Sequence, residues 1–206
     1  MSLTDKSVSD LLAAFRDPTP TPGGGSASAL SAAVGVSLLV MVAAMGRTRR
    51  GDDEDRRVLD QAAEALLPIA DHLEQLVDDD AAAYEEVMDA YRLPKGTEDD
   101  KTARRIAVQS ALRGAAEVPL DMMRACQAAL TAAVDVARHG NPAAASDVGV
   151  AMELVCAGLR GAALNVRVNL EGVTDDGWAG GAREEIERLE AVAPLLASDV
   201  KAALTG

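Results

Sequence analysis

Aromatic side chains are nearly missing from this chain: one Phe, one Trp and two Tyr, or 2% of 206 residues. Folds built from many short strands draw on aromatic and β-branched residues. Their scarcity, beside abundant Ala and Leu, points to an all-α fold. Histidine is as scarce, and His72 and His139 stand too far apart to make a metal site. No metal is expected. Cys126 and Cys156 lack CxxC spacing and a neighbouring His, so they read as buried free thiols of a reducing, cytoplasmic compartment. Positive charge is short too, with 20 Lys plus Arg against 33 Asp plus Glu and a formal net charge of -13. Such a surface repels phosphates, which argues against a nucleic-acid partner and against an anionic membrane.

Charge of either sign is absent between Asp17 and Arg47, a gap long enough to raise the question of a membrane span. The first half of this stretch, Gly23-Gly-Gly-Ser-Ala-Ser-Ala-Leu-Ser, is small and hydroxylated, which suits a central bundle helix whose neighbours come close. No second such segment is expected. What is present is helical periodicity. Ser7 with Asp10 caps a short helix from Val8 to about Phe15, and the Pro-Thr-Pro-Thr-Pro-Gly-Gly-Gly run ends it. The small-residue helix follows from about Ser26 to Met45. A long helix opens at Gly51 and the acidic run Asp52 to Asp55 and lasts to Leu93-Pro94. Thr97 caps the fourth helix, Gly140 stops it, and Asn141-Pro142 opens a fifth that reaches about Leu170. A last helix offers Ile186, Leu189, Val192, Leu195, Leu196 and Val200 inward, and Gly177, Gly180 and Gly181 should fray its start. The opening Met-Ser-Leu is set aside as the kind of segment an expression tag leaves. The expected architecture is an elongated, mostly antiparallel helical bundle, one domain over residues 1–206.

Asp80 is the most informative position. In the long third helix, the stripe Leu73, Val77, Asp80, Tyr84, Val87 and the stripe Leu73, Leu76, Asp80, Ala83, Val87 alternate three and four residues, and Asp80 lies on both. A carboxylate in an apolar seam is paired, desolvated or beside a wet cavity. Desolvation raises its pKa and suits it to proton transfer, while a structural tie to a Ser, an Arg or a backbone N–H is the plainer alternative. Asp78 and Asp79 point off the seam and read as solvated. Lys95, past the Leu93-Pro94 break, either throws an ammonium back over a helix end or is an ordinary surface lysine. Asn141, Ser146 and Asp147 surround a helix start, where unpaired N–H groups favour an anion. Asn165 and Asn169 put two amides on one helix face, fit to read a heterocycle or to fix the bundle's register. Gly23, Gly24, Gly25 and Ser26 expose N–H groups ahead of a helix but lack P-loop spacing. Arg47-Thr-Arg-Arg50 reads as a solvated helix end.

The order of these motifs carries a resemblance. Pro22-Gly-Gly-Gly-Ser26, then Val77-Asp-Asp-Asp80-Ala-Ala-Ala-Tyr84, Leu93-Pro-Lys95-Gly-Thr97, Gly140-Asn141 with Ser146-Asp147, Asn165-Val-Arg-Val-Asn169-Leu170 and Val173-Thr-Asp175 resembles the cyclodeaminase/cyclohydrolase family of folate enzymes. It spans nearly the whole chain. The first Asp of the family's Asp-x-Asp pattern falls on Asp78, with Asp79 an extra acid.

The resemblance implies a helical homodimer that binds a tetrahydrofolate derivative in a cleft near the subunit interface, with no cofactor beyond that substrate. It implies Asp80 and Lys95 as catalytic residues, with Gly23, Gly24, Gly25, Ser26, Asn141, Ser146, Asp147, Asn165 and Asn169 binding substrate. The formimidoyltransferase half lies outside these residues, which favours a methenyltetrahydrofolate cyclohydrolase over a formiminotetrahydrofolate cyclodeaminase. A non-catalytic folate-binding dimer is the alternative from another class. One limit is geometric: Asp147 and Asn165 share a helix face but stand about 27 Å apart at 1.5 Å per residue.

Overall fold

The computed structural model describes residues 2–205, and every regular element among them is helical. α1 spans Val8–Arg16, α2 Gly24–Ala43, α3 Asp53–Arg92 and α4 Glu98–His139. A 3₁₀ turn at Pro142–Ala144 leads into α5, Ala145–Leu170, and α6 covers Asp176–Thr205. The caps are those the sequence advertises. The Ser7 hydroxyl accepts from Asp10 N–H, Asp52 accepts from Asp55 N–H, and Thr97 with Asp100 closes a reciprocal capping box.

Small residues decide how closely α2 and α5 meet. A Cβ placed on Gly158 would come within 2.7 Å of the Ala32 methyl and 2.8 Å of the Ser28 carbonyl oxygen. One on Gly35 would come within 2.7 Å of the Ala151 carbonyl oxygen. The two backbones therefore touch where larger side chains would hold them apart. Ser31 adds a side-chain hydrogen bond to the Leu154 carbonyl at 3.0 Å. α5 is itself long and apolar enough to cross a membrane, as α2 is, so the expectation of a single such segment is one short. Both helices bury one face in the core and leave the other uncovered.

α3 and α4 form a long hairpin. Arg104 donates to the Tyr91 carbonyl, His72 meets Asp121 at 2.7 Å, and His139 meets Asp55 at 2.8 Å, so residue numbers fall along α3 as they rise along α4. At the end near His139 the basic run is only partly solvated: Arg47 is exposed as expected, whereas Arg49 is tied in. Arg49 donates to the Ala137 and Ala203 carbonyls, and Arg56 to those of Ala43 and Met45. These cations satisfy orphan carbonyls at the C-terminal ends of α4, α6 and α2. Asp55, buried in the same knot, accepts from Arg50 N–H and from His139. Burial pulls its pKa upward, but these bonds outweigh that and hold the carboxyl well below the usual range.

Three further expectations shift. Leu3 is buried, and the Leu3 amide and the Thr4 hydroxyl both donate to Asp78, so Asp78 is a tether for the N-terminal segment and not a solvated acid. In α6 the inward positions are Ala179, Ala182, Ile186, Leu189, Ala193, Ala197 and Val200, and Leu195 faces out. The start of α6 holds despite its glycines, because Asp175 accepts from Trp178 N–H and Arg113 lies 4.9 Å over the Trp178 ring. Cys126 and Cys156 are buried and unbridged.

Gly158→Ala sets two effects against each other: alanine gains about 1 kcal/mol of helix propensity, while the displaced Ser28 backbone costs about 1–3 kcal/mol. The clash involves backbone, so a net loss of stability is expected in urea unfolding. An unchanged or raised midpoint would show that α2 and α5 have room between them.

Candidate active site

Asp80 projects from the middle of α3 toward the first turn of α2. Its Oδ2 accepts from Ser26 N–H at 2.8 Å and from the Ser26 hydroxyl at 3.0 Å. The carboxyl lies so close over Gly25 that a Cβ there would overlap Oδ1, which makes this glycine a requirement of close approach. Ser26 is fully buried. The N-terminal end of α2 is thus an anion site, as the glycine run implied, and the anion that fills it is the chain's own carboxylate. Burial raises the Asp80 pKa above its ordinary value, against the two Ser26 bonds that lower it.

A cleft of about 300 Å³ opens beside this carboxyl, lined by Thr21, Gly23, Gly24, Gly25, Asp80, Tyr84, Val87, Leu112, Ala115, Asn165 and Asn169 among others. It carries no basic side chain. The two amides of α5 each spend their NH₂ on the backbone: Asn165 donates to the Gly161 carbonyl at 2.9 Å and Asn169 to the Ala115 carbonyl at 2.6 Å. Both therefore offer carbonyl oxygens as acceptors. The result is a small neutral chamber with one half-buried acid on one wall and two amides on another.

The structure gathers seven of the expected site residues here: Gly23, Gly24, Gly25, Ser26, Asp80, Asn165 and Asn169. It leaves four outside. Lys95 is exposed between α3 and α4, and α3 runs twelve residues from Asp80 to Arg92, about 18 Å at 1.5 Å per residue. Lys95 therefore does not polarise Asp80 within one chain. Asn141 caps the 3₁₀ turn by accepting from Ala143 N–H, and Ser146 and Asp147 follow on the first turn of α5. All three lie at the opposite end of α5 from Asn165, as the 27 Å estimate required. The Val173 to Asp175 motif is a structural clasp: Gln109 accepts from the Thr174 N–H and hydroxyl and donates to the Gly172 carbonyl.

Tyr84 was legible as a cleft residue, since it follows Asp80 by one turn on the same stripe. Leu112 and Ala115 were not, because only the α3–α4 pairing brings them across.

Comparison with known proteins bears on the family and the fold. Residues 7–188 match the family model described as formiminotransferase-cyclodeaminase. The chain belongs to that family. It is 44% identical over 121 residues to a methenyltetrahydrofolate cyclohydrolase of Methylorubrum extorquens, covering 59% of this chain and 58% of that protein. It is 38% identical over 135 residues to the formimidoyltransferase-cyclodeaminase of Sus scrofa, covering 64% of this chain and 25% of the pig protein. The chain thus matches less than two thirds of the length of either relative. The crystal structure of a formiminotetrahydrofolate cyclodeaminase from Thermotoga maritima superposes with a TM-score of 0.85 at 29% identity, over 98% of this chain and 97% of that one.

The raised Asp80 pKa has a consequence for stability. A carboxyl whose folded pKa lies above its unfolded value favours the fold while protonated, and that contribution is lost as pH rises through the folded pKa. Asp80→Asn removes the ionisation, so its Tm relative to wild type should rise from pH 4 to pH 7. A difference that falls over that interval would mean that Ser26 outweighs burial.

Proposed function

We propose that this chain is a folate one-carbon enzyme, a methenyltetrahydrofolate cyclohydrolase, which opens 5,10-methenyltetrahydrofolate with water to give 10-formyltetrahydrofolate. The observation that carries this reading is a half-buried carboxyl in a cleft without a basic side chain. The methenyl ring is a delocalised cation, so a lone acid stabilises it, and a nearby ammonium would oppose it. On this reading Asp80 takes a proton from the attacking water as the C–O bond forms. It then returns a proton to N5 as the C–N5 bond breaks, and the formyl group stays on N10. The remaining hydroxyl proton leaves to solvent, which balances the charge. A carboxyl whose pKa is lifted by burial suits both directions of transfer. The Asn165 and Asn169 oxygens accept from the pterin's N–H groups, and no cofactor enters. The 44% identity to a methenyltetrahydrofolate cyclohydrolase favours water as the attacking group.

The close alternative, cyclodeamination of formiminotetrahydrofolate, uses the same carbon: N10 attacks it and ammonia leaves. Supplying each substrate separately to the purified protein decides between them through the methenyl absorbance. Methenyl opening well above the buffer rate is expected, and ammonia release without it would reverse the choice. Asp80→Asn should lose about 10²- to 10⁴-fold in turnover, with Asp79→Asn close to silent. A near-wild-type Asp80→Asn would remove this carboxyl from the chemistry.

The cleft is at the small end of ligand sites, about 300–1,000 Å³, so the ring end of a folate fills it and the rest lies beyond. The homodimer completes it on this reading. α2 presents Ala27, Leu30, Val34, Ser37 and Met41 as a three-four stripe, with Val34 and Met41 exposed, and α5 adds Val150, Leu164 and Val168. This face is uncharged along α2 on a chain of net charge -13, so self-association favours it over any other. Antiparallel twofold packing about Val34 sets Gly24 of one copy beside the C-terminal end of α2 of the other. It also brings the partner copy's 141–147 segment toward the cleft, which gives Asn141, Ser146 and Asp147 a place. Val34→Glu should convert a dimer to a helical monomer with activity lost, as read by light scattering, circular dichroism and rate. Full activity in a wild-type monomer would sink this arrangement, and so would partition of the chain onto neutral lipid vesicles through the same face.

A further inference from the structure

We propose that Ser26 is a positioning residue that sets which oxygen of Asp80 reacts: by donating both its amide N–H and its hydroxyl to Oδ2, it leaves Oδ1 as the oxygen that takes and gives the proton. This rests on the functional reading above and deepens it. The two bonds, 2.8 and 3.0 Å, occupy both lone-pair directions of Oδ2. Oδ1 has no hydrogen-bond partner in the chain, yet it is not among the sealed, unpartnered polar atoms of the described residues, so it keeps its access to the cleft. When Asp80 is protonated, a hydrogen on Oδ2 would collide with two donors, and the proton resides on Oδ1. Gly25 makes the space in which Oδ1 sits.

The hydroxyl has no other partner, since its one hydrogen bond is to Asp80. Ser28, by contrast, bonds back to the Gly24 carbonyl within the helix, as helical serines commonly do. Ser26 is fully buried at a site where alanine would form the helix at least as well, so the hydroxyl adds nothing to α2 itself. The hydroxyl bond is also the largest influence opposing burial on the Asp80 carboxyl. Nothing else in the cleft competes for that role. α2 has no charged residue, α4 presents Leu112 and Ala115, α5 presents the neutral Asn165 and Asn169, and α3 adds only Tyr84. Asp79, adjacent in sequence, is raised by its own burial, with His72 and Asp78 acting on it and not Asp80.

The test compares wild type, Ser26→Ala and Ser26→Thr, with [¹³C]Asp-labelled protein and Asp80→Asn to assign the Asp80 carboxyl signal. In Ser26→Ala the titration midpoint of that carboxyl should move to higher pH, and the matching limb of the kcat/KM profile should move with it. kcat should fall about ten- to a hundredfold, the scale of a lost hydrogen bond to a charged group, with KM changed less. Ser26→Thr keeps the hydroxyl and should titrate like wild type. A folded Ser26→Ala with an unmoved midpoint would overturn the proposal. So would a Ser26→Thr whose midpoint moves well away from wild type, a readout that stands even if Ser26→Ala does not fold. The midpoint is read without turnover, so an inactive wild type would condemn the functional reading separately.

Discussion

The near contact of the α2 and α5 backbones is the constraint on which the rest of the molecule depends. Gly35, Gly158 and Gly161 each lack a side chain where one would strike the other helix. With larger residues the helices would stand apart by roughly the 8–10 Å typical of side-chain packing. Close approach does more than fill the core. It carries the first turn of α2 against α5 at Gly158 and Gly161, and so sets Ser26 on one side of the cleft and Asn165 on another. A site assembled across backbone contact has little slack, because the reach of a long side chain does not absorb a shift. The same small residues explain why the chain tolerates the interval without charge between Asp17 and Arg47: a charged side chain on the buried face of α2 would have neither space nor a partner.

At the centre of that frame, Asp80 is held between opposed tendencies. Burial favours its neutral form. The N-terminal end of α2, with the Ser26 amide and hydroxyl, favours the ionised one. Burial prevails at Asp80, which distinguishes it from Asp55. Asp55 is more fully buried, but it faces Arg50 and His139, and its hydrogen bonds overwhelm burial. Two acids in one fold thus take different characters from their partners: a cation and several donors make a structural anchor, while one serine and an open cleft leave a carboxyl whose pKa burial raises.

Much of this was legible in the sequence, and the reason is local physics. Capping at Ser7, Asp52, Thr97 and Asn141 depends on residues three or fewer apart. The three-four stripes that placed Asp80 on a seam depend only on helical period, as does Tyr84 one turn later. What was not legible depended on direction and register between helices. Asp78 seemed solvated because its tether, Leu3 and Thr4, arrives from more than seventy residues away. Leu195 seemed inward because leucine outranks alanine in apolarity, whereas α6 packs close enough that Ala193 and Ala197 are the residues that fit. Arg49 reads as solvated in the sequence because the carbonyls it caps belong to the ends of other helices.

The distribution of the motifs has the same origin and a further consequence. Along the chain they divide between the two ends of the bundle, because each long helix carries the backbone from one end to the other. Glycine run, Asp80 and Asn165 fall at one end, and Asn141 to Asp147 at the other. A motif list in sequence order therefore contains two spatial groups, and no rotation of side chains within one chain merges them across about 27 Å. A single copy gathers an acid and two amides around one cleft and leaves the second group at the far end of α5. Those residues acquire a common purpose only if the apolar face between the two ends meets its own image. The uncovered half of α2, uncharged over its length, is the surface on this acidic chain that makes such a meeting favourable.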